Sequence, residues 1–247
     1  MIKTIIFLTK IAVATAIALL FTSCNHSINF GDGVQGNGNV TTQARTITES
    51  FKSIEASHGI NVIVEQSDDK SVTVETDDNL QSIIVTRVEN GVLIVEAKKG
   101  YNADFTPKVT VKMPEIIGLS TSSGANINSN NTLITDNIAV KSNSGSEINI
   151  QVEADHITVE NSSGSETTVS GKALNLETTA SSGSSIDAER LAANVVSAQA
   201  TSGSSTSIDA IVSLNGKASS GASITYKKAP KTNLVKEENS GGSVSQE

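Results

Sequence analysis

Seven near-identical tripeptides offer the first candidate chemistry in this 247-residue chain. They are Ser122-Ser123-Gly124, Asn143-Ser144-Gly145, Ser162-Ser163-Gly164, Ser181-Ser182-Gly183, Thr201-Ser202-Gly203, Ser219-Ser220-Gly221 and Asn239-Ser240-Gly241. A serine before a glycine could serve as a nucleophile, but a nucleophile needs a base and an orienting group of its own. No Gly-x-Ser-x-Gly surrounds Ser163, and the three histidines, His26, His58 and His156, are tied to no copy. A unit copied seven times is architecture. Paired carboxylates are the second candidate, since Glu147 and Glu166 follow successive glycines at one offset and Asp187 and Asp209 lie a little further along. Acids on one face of a solenoid can transfer protons to a sugar. Here the equivalent positions are mixed (Asn126, Glu147, Glu166, Ser185, Ser205, Ser223), and only Arg45, Arg87 and Arg190 are available to hold an acidic sugar. The Asp pairs 68–69 and 77–78 read as turn residues, which bond their own backbone, because a calcium loop needs more oxygens at fixed spacing. Gly36-Asn37-Gly38 lacks the strand, helix and Lys-Ser/Thr of a phosphate loop.

One residue does carry expected chemistry. Met1 to Ser23 reads as a secretory signal, with Lys3 and Lys10 before the apolar run from Ile11 to Phe21. That run of 11 is too short to span a bilayer, which takes about 20 residues. Thr22-Ser23-Cys24 then resembles the lipobox of bacterial lipoproteins, although Phe21 stands where Leu is commonest. The resemblance implies acylation of Cys24, the only cysteine, and a membrane anchor. Asn25-His26-Ser27 carries no acidic export tag, which tilts the expectation toward the periplasmic face of the outer membrane over the cell surface.

The composition sets the frame for the rest. There are 18 Lys+Arg against 26 Asp+Glu, a net charge of -8, so nucleic acid is a poor partner. A lone cysteine excludes a disulfide framework and a Cys-rich metal site, and no cofactor motif is present. Aromatics are 3% while Ser, Thr and Asn number 35, 25 and 21, about a third of the chain. With 37% hydrophobic residues the chain should fold, but around a thin core of small side chains.

Residues 24–46 read as a flexible, Gly-rich tether between anchor and fold. From 47 to 117, alternations such as Val62/Val64, Val72/Val74, Leu93/Val95 and Val109/Val111 predict half-buried strands, and Asn90-Gly91 predicts a hairpin turn. Residues 118–247 are the repeat. The intervals between the tripeptide glycines are 21, 19, 19, 20, 18 and 20, and a β-branched residue follows three places after each glycine. A period near 20 without helix signals predicts a solenoid, here an all-β, right-handed parallel β-helix of seven coils, continuous with the hairpin-containing first half. At about 4.8 Å per coil it would be about 34 Å long. Gly124, Gly145, Gly164, Gly183, Gly203, Gly221 and Gly241 are its corners, where a positive φ or close backbone approach is needed. The preceding Ser or Asn would cap each turn, so Gly164→Val should destabilise and Ser165→Ala should be nearly neutral. The charged segment around Tyr226 to Lys231 and Lys236-Glu237-Glu238 reads as a guard over the open end, or as a loop between the last coils.

The non-repetitive half also carries a resemblance. Phe51-Lys52-Ser53-Ile54-Glu55, then Gly59-Ile60-Asn61, then Val72 to Leu80 and Gly91 to Val95, in that order before the Ser-x-Gly-x-x-Ile units, resemble the putative autotransporter adhesin, head GIN domain family of bacterial envelope proteins. The match spans about residues 36 to 244, and its name corresponds to Gly59, Ile60 and Asn61. The resemblance implies a β-helical fold, an envelope location common in Bacteroidota, and no catalytic residues. The usual Ser-Gly-Ser-Gly-Asp units of the family are here Ser-Ser-Gly-Ser/Ala-Ser/Glu, without the stacked Asp column. The reading that results is a non-enzymatic, lipid-anchored binding or adhesion module for a glycan or protein. A periplasmic structural or envelope-stress scaffold is the alternative, and a carbohydrate-active β-helix enzyme comes third.

Overall fold

A computed structural model describes residues 33–247. The secretory signal, Cys24 and the first part of the expected tether lie outside the described residues. Among those described, strands dominate and there is no α-helix, only a 3₁₀ turn at Asp78–Leu80.

The first rung is Ser53–Ala56, a corner, and Asn61–Gln66. Gly118–Thr121 and Asn126–Ser129 stack on it in parallel. The long strands Leu133–Ser142, Glu147–Asn161, Glu166–Ala180, Ser185–Ala200 and Ser205–Ser219 follow, each parallel to the last. Ser223–Tyr226, Asn233–Asn239 and Ser243–Gln246 finish the rod. The solenoid makes about six turns, one fewer than the seven coils expected. Because the side-chain period of a strand is 2, identical register places like on like. Val62, Ile127, Ile148, Thr167, Ile186, Thr206, Ile224 and Val244 form one inward column, and all are buried. No single coil could bury this face alone.

The corners share one backbone. Ser and Gly are both left-handed at every corner, for example Ser163 at φ +55° and Gly164 at φ +69°. Each Gly N–H donates to the Ser carbonyl of the next corner, as from Gly164 to Ser182 at 3.1 Å. Two details differ from the sequence reading. A Cβ at Gly164 would meet nothing within 4 Å, so the glycine answers to φ and not to space. The turn is also capped from the other side, by the residue after the glycine. Ser204 Oγ donates to the Ala180 carbonyl at 2.9 Å in the coil before, and accepts from the Thr201 N–H at 3.1 Å. Ser184 does the same between the coils, and Ser165 Oγ, also buried, donates to the Ser142 carbonyl at 2.7 Å. Losing such a bond costs about 1 kcal/mol, and placing a β-branched residue in the left-handed region costs about 2 kcal/mol. Ser165→Ala should therefore lower the thermal midpoint measurably, and Gly164→Val by roughly twice as much. Ala fits the site itself, since Ala125 and Ala222 occupy the same place in other coils.

The corner series begins earlier than the repeats suggest. His58 (φ +62°) and Gly59 (φ +70°) have the same conformation, and the Gly59 N–H donates to the Ser123 carbonyl at 3.0 Å. Ile60 is buried, and Asn61 pairs with Asn126. Gly59, Ile60 and Asn61 thus form the first corner of the solenoid. The inserted strands between 67 and 117 separate this corner from the next.

Those insertions close the N-terminal end. Val92–Ala97 and Lys108–Met113 lie below the first rung, and the antiparallel strands Ile84–Glu89 and Ser71–Asp77 follow them. Asn90 and Gly91 make the expected two-residue hairpin turn, both with positive φ. The tether expected over 24–46 ends sooner than its composition implied. Val34–Gln35 pairs with Tyr101–Asn102, and Val40–Arg45 pairs antiparallel with Ser71–Asp77. Val40–Arg45 is an edge strand of mostly exposed polar residues, so it shows little apolar alternation.

The C-terminal end is plugged. The column Leu119, Val140, Val159, Thr178, Ala198 narrows to Gly216 and ends on Lys236. Its neighbour runs through Ala180, Ala200 and Ala218 to Glu238. Two positions that point inward in every earlier coil thus carry charges in the last one. Lys236 Nζ sits 4.9 Å from the centre of the Tyr226 ring, and Glu238 accepts from the Val244 N–H at 2.6 Å. Of the charged segment, residues 227–232 form the loop between the last coils, while Lys236 and Glu238, both exposed, stand in register with core positions of the earlier coils.

Candidate functional site

The rod turns a second time on the side away from the Ser-Gly corners. There the ladder skips one residue per coil, so Asp136, Asp155, Leu174 and Asn194 have no register partner while their neighbours do. Residues at such a bend tip outward. Beside them runs a column of small residues, Thr135, Ala154 and Ala173, and then Ile134, Glu153, Lys172 and Ala192. Small residues between two longer rows make a groove. It encloses about 580 Å³, and Ile211 borders it as well. Two neighbouring depressions, of about 320 and 440 Å³, continue it past Ile134 toward Ile117, Pro114 and Asp68.

Large apolar side chains lie in the open here. Ile134 is 66% and Leu174 49% exposed, and Ile117 on the continuation is exposed too. Ile134 is held in place. Its N–H donates to Gln66 Oε1 at 2.6 Å, and Gln66 Nε2 donates back to the Ile134 carbonyl at 2.9 Å and to the Pro114 carbonyl at 3.0 Å. Gln66 is itself clamped by reciprocal backbone bonds with the Asn131 side chain. Asp136, Glu153, Asp155, Glu115 and Asp68 surround this surface; Lys172 pairs with Glu153 at 3.4 Å and Lys52 with Glu115 at 2.6 Å. Nearby, hydrogen bonds from Lys112 and Asn130 hold the Glu65 carboxyl below its ordinary pKa.

The acids singled out from sequence are scattered. Glu147 and Glu166 do stack as neighbours, with Ser185 next in their column. Asp187 stands in a different column, and Asp209 is buried on another part of the coil beside Ala192. Arg190 pairs with Ser170, away from Glu147 and Glu166. The carboxylate of Asp77 accepts from the Gly38 N–H, and that of Asp78 accepts from Asn37 and Asn39, which also holds its pKa below the ordinary value. Asp77 Oδ2 and both oxygens of Asp78 are thus occupied by donors from the 36–39 turn, which makes the pair a structural clasp, while Asp77 Oδ1 is buried without a partner. Among the described residues, no three His, Cys, Asp or Glu side chains gather as a metal site. Sequence reading missed the groove, whose walls come from five coils and whose outward isoleucine and leucine look like core residues in one dimension.

No curated protein matches the chain. Solved structures do. One described as a putative adhesin from Bacteroides fragilis NCTC 9343 superposes with a TM-score of 0.79 at 21% identity, covering 87% of this chain and 100% of that one. Another, described as a putative lipid binding protein from Parabacteroides distasonis ATCC 8503, has a TM-score of 0.72 at 19% identity, over 87% and 99%. A putative adhesin from Parabacteroides merdae ATCC 43184 gives 0.72 at 21%, over 88% and 100%. At these identities the likeness is one of fold. Residues 50–230, from Ser53–Ala56 of the first rung almost to the last one, match the model of the family described as putative auto-transporter adhesin, head GIN domain, and the chain belongs to that family.

Proposed function

We propose that the chain is a non-catalytic binding module of the cell envelope, lipid-anchored through Cys24 at the outer membrane, and that the bend groove is its binding face. The observation that carries this reading is the exposed apolar pair Ile134 and Leu174, fixed on a rigid rod over small side chains. Exposed apolar surface costs solubility unless a partner covers it, and such patches mark interaction sites. The neighbours described as adhesin and lipid binding support a binding role, and the family description supports an envelope setting.

Two measurements test it. Cys24→Ala should move the protein from the membrane to the soluble fraction and abolish labelling by a fatty acid. Continued sedimentation and unchanged labelling would count against the anchor. Arrays of peptides, glycans and lipids should show at least one class bound by the wild type and lost in Ile134→Glu/Leu174→Glu. Both residues are exposed, so that variant should keep its thermal midpoint. Binding that ignores the double variant would refute the groove as the site.

A further inference from the structure

We infer that the groove takes an extended, basic peptide segment that alternates Lys or Arg with aliphatic residues. This rests on the binding reading above and names its ligand class. The floor of Thr135, Ala154 and Ala173 is shallow and mostly apolar, with Ile134 and Leu174 standing over it, so it favours slim aliphatic side chains. No aromatic residue lines it or its continuation, so it has no stacking platform for a sugar ring. Its charges choose the sign of the partner. Five carboxylates border the path; Lys172 pairs with Glu153 and Lys52 with Glu115, so Asp136, Asp155 and Asp68 carry its net negative charge. A fatty acid or an anionic lipid would bring like charge to this rim, and like charge across an interface suppresses the wrong partner. A basic segment would neutralise it. Asp136 and Asp155 project from successive coils about 4.8 Å apart, so one ammonium or guanidinium can serve both.

The dimensions agree. The groove runs along the rod axis across five coils and continues over two further depressions, about 20 to 25 Å in all. That length accepts six or seven extended residues at about 3.3 Å each. The path crosses the strands and offers no unpaired edge, so side chains and charge should dominate over backbone pairing. Binding should then be salt-dependent and tolerant of sequence.

Fluorescence anisotropy of labelled Lys-Leu-Lys-Leu-Lys-Leu-Lys with the full chain in detergent tests this. Micromolar binding is expected, weakened several-fold between about 50 and 500 mM salt. Asp136→Asn/Asp155→Asn and, separately, Leu174→Ser should each weaken it at least tenfold, whereas Lys217→Gln, outside the groove, should not. Equal binding of Glu-Leu-Glu-Leu-Glu-Leu-Glu, or of a fluorescent fatty acid, would overturn the assignment, as would no binding of the basic peptide. If the basic peptide fails while the arrays still show groove-dependent binding, only the ligand class is wrong. If both fail, the binding reading falls too.

Discussion

Gly171→Ala should lower the thermal midpoint by about 10 °C, against about 3 °C for Gly164→Ala. Both glycines have positive φ, so both substitutions incur conformational strain of about 1 kcal/mol or somewhat more. They differ in what a Cβ would meet. At Gly164 there is open space, whereas at Gly171 the Cβ would lie 2.0 Å from the Val152 carbonyl oxygen and 3.0 Å from its carbon. That carbonyl cannot retreat. Val152 is buried and hydrogen-bonded within the ladder, between Leu133 on one side and Gly171 on the other. Relief requires breaking ladder bonds in two coils, so the cost should reach about 3 to 4 kcal/mol. Circular dichroism melts of the two variants decide it. Equal shifts would mean that the coils slide freely past one another at this bend.

Lys236→Val/Glu238→Ala should convert a monomer into a dimer. The last rung leaves Asn233–Asn239 without a partner on its outer edge, and an unpaired edge recruits other strands unless something blunts it. Here two exposed charges, in register with core positions of the earlier coils, do the blunting. Replacing them restores the apolar and small character that the same columns have at Ala198 and Ala218, and leaves Leu234 and Tyr226 beneath a flat apolar end. The opposite end of the rod finishes in antiparallel strands, so head-to-tail growth has no matching surface. Two plugged ends would instead meet around a two-fold axis. Sedimentation velocity should show the wild type as monomer and the double variant as dimer at micromolar concentration. A monomeric double variant would show that edge polarity alone suffices.

The repeat was legible because stacking imposes one local rule on every coil. Ser-Gly at left-handed φ, a β-branched residue three places on, and a spacing near 20 recur wherever the neighbours recur. Gly59 obeys the same rule and was hidden only because His58 replaces Ser and the next corner lies 65 residues away. The alignment His58-Gly59-Ile60-Asn61-Val62 with Ser123-Gly124-Ala125-Asn126-Ile127 carries that signal. Val40–Arg45 was illegible for a different reason. An edge strand whose side chains face water owes its conformation to Ser71–Asp77, not to its own pattern. The capping role of Ser165, Ser184 and Ser204 depends on a carbonyl about 23 residues away, which no local pattern encodes. The groove was the hardest part, because the bend breaks the alternation by one residue and turns Ile134 and Leu174 out of the core phase.

From Leu133 onward, each coil meets its partner only about 20 residues earlier in the chain. A polypeptide delivered from its N-terminus would therefore find every template finished before the strand that needs it arrives. The hairpin end, with its short-range antiparallel pairs, is the natural first seed, and each new coil then closes a loop of the same modest length. Assembly can keep pace with delivery of the chain, and the charged last rung is a poor template for a further coil.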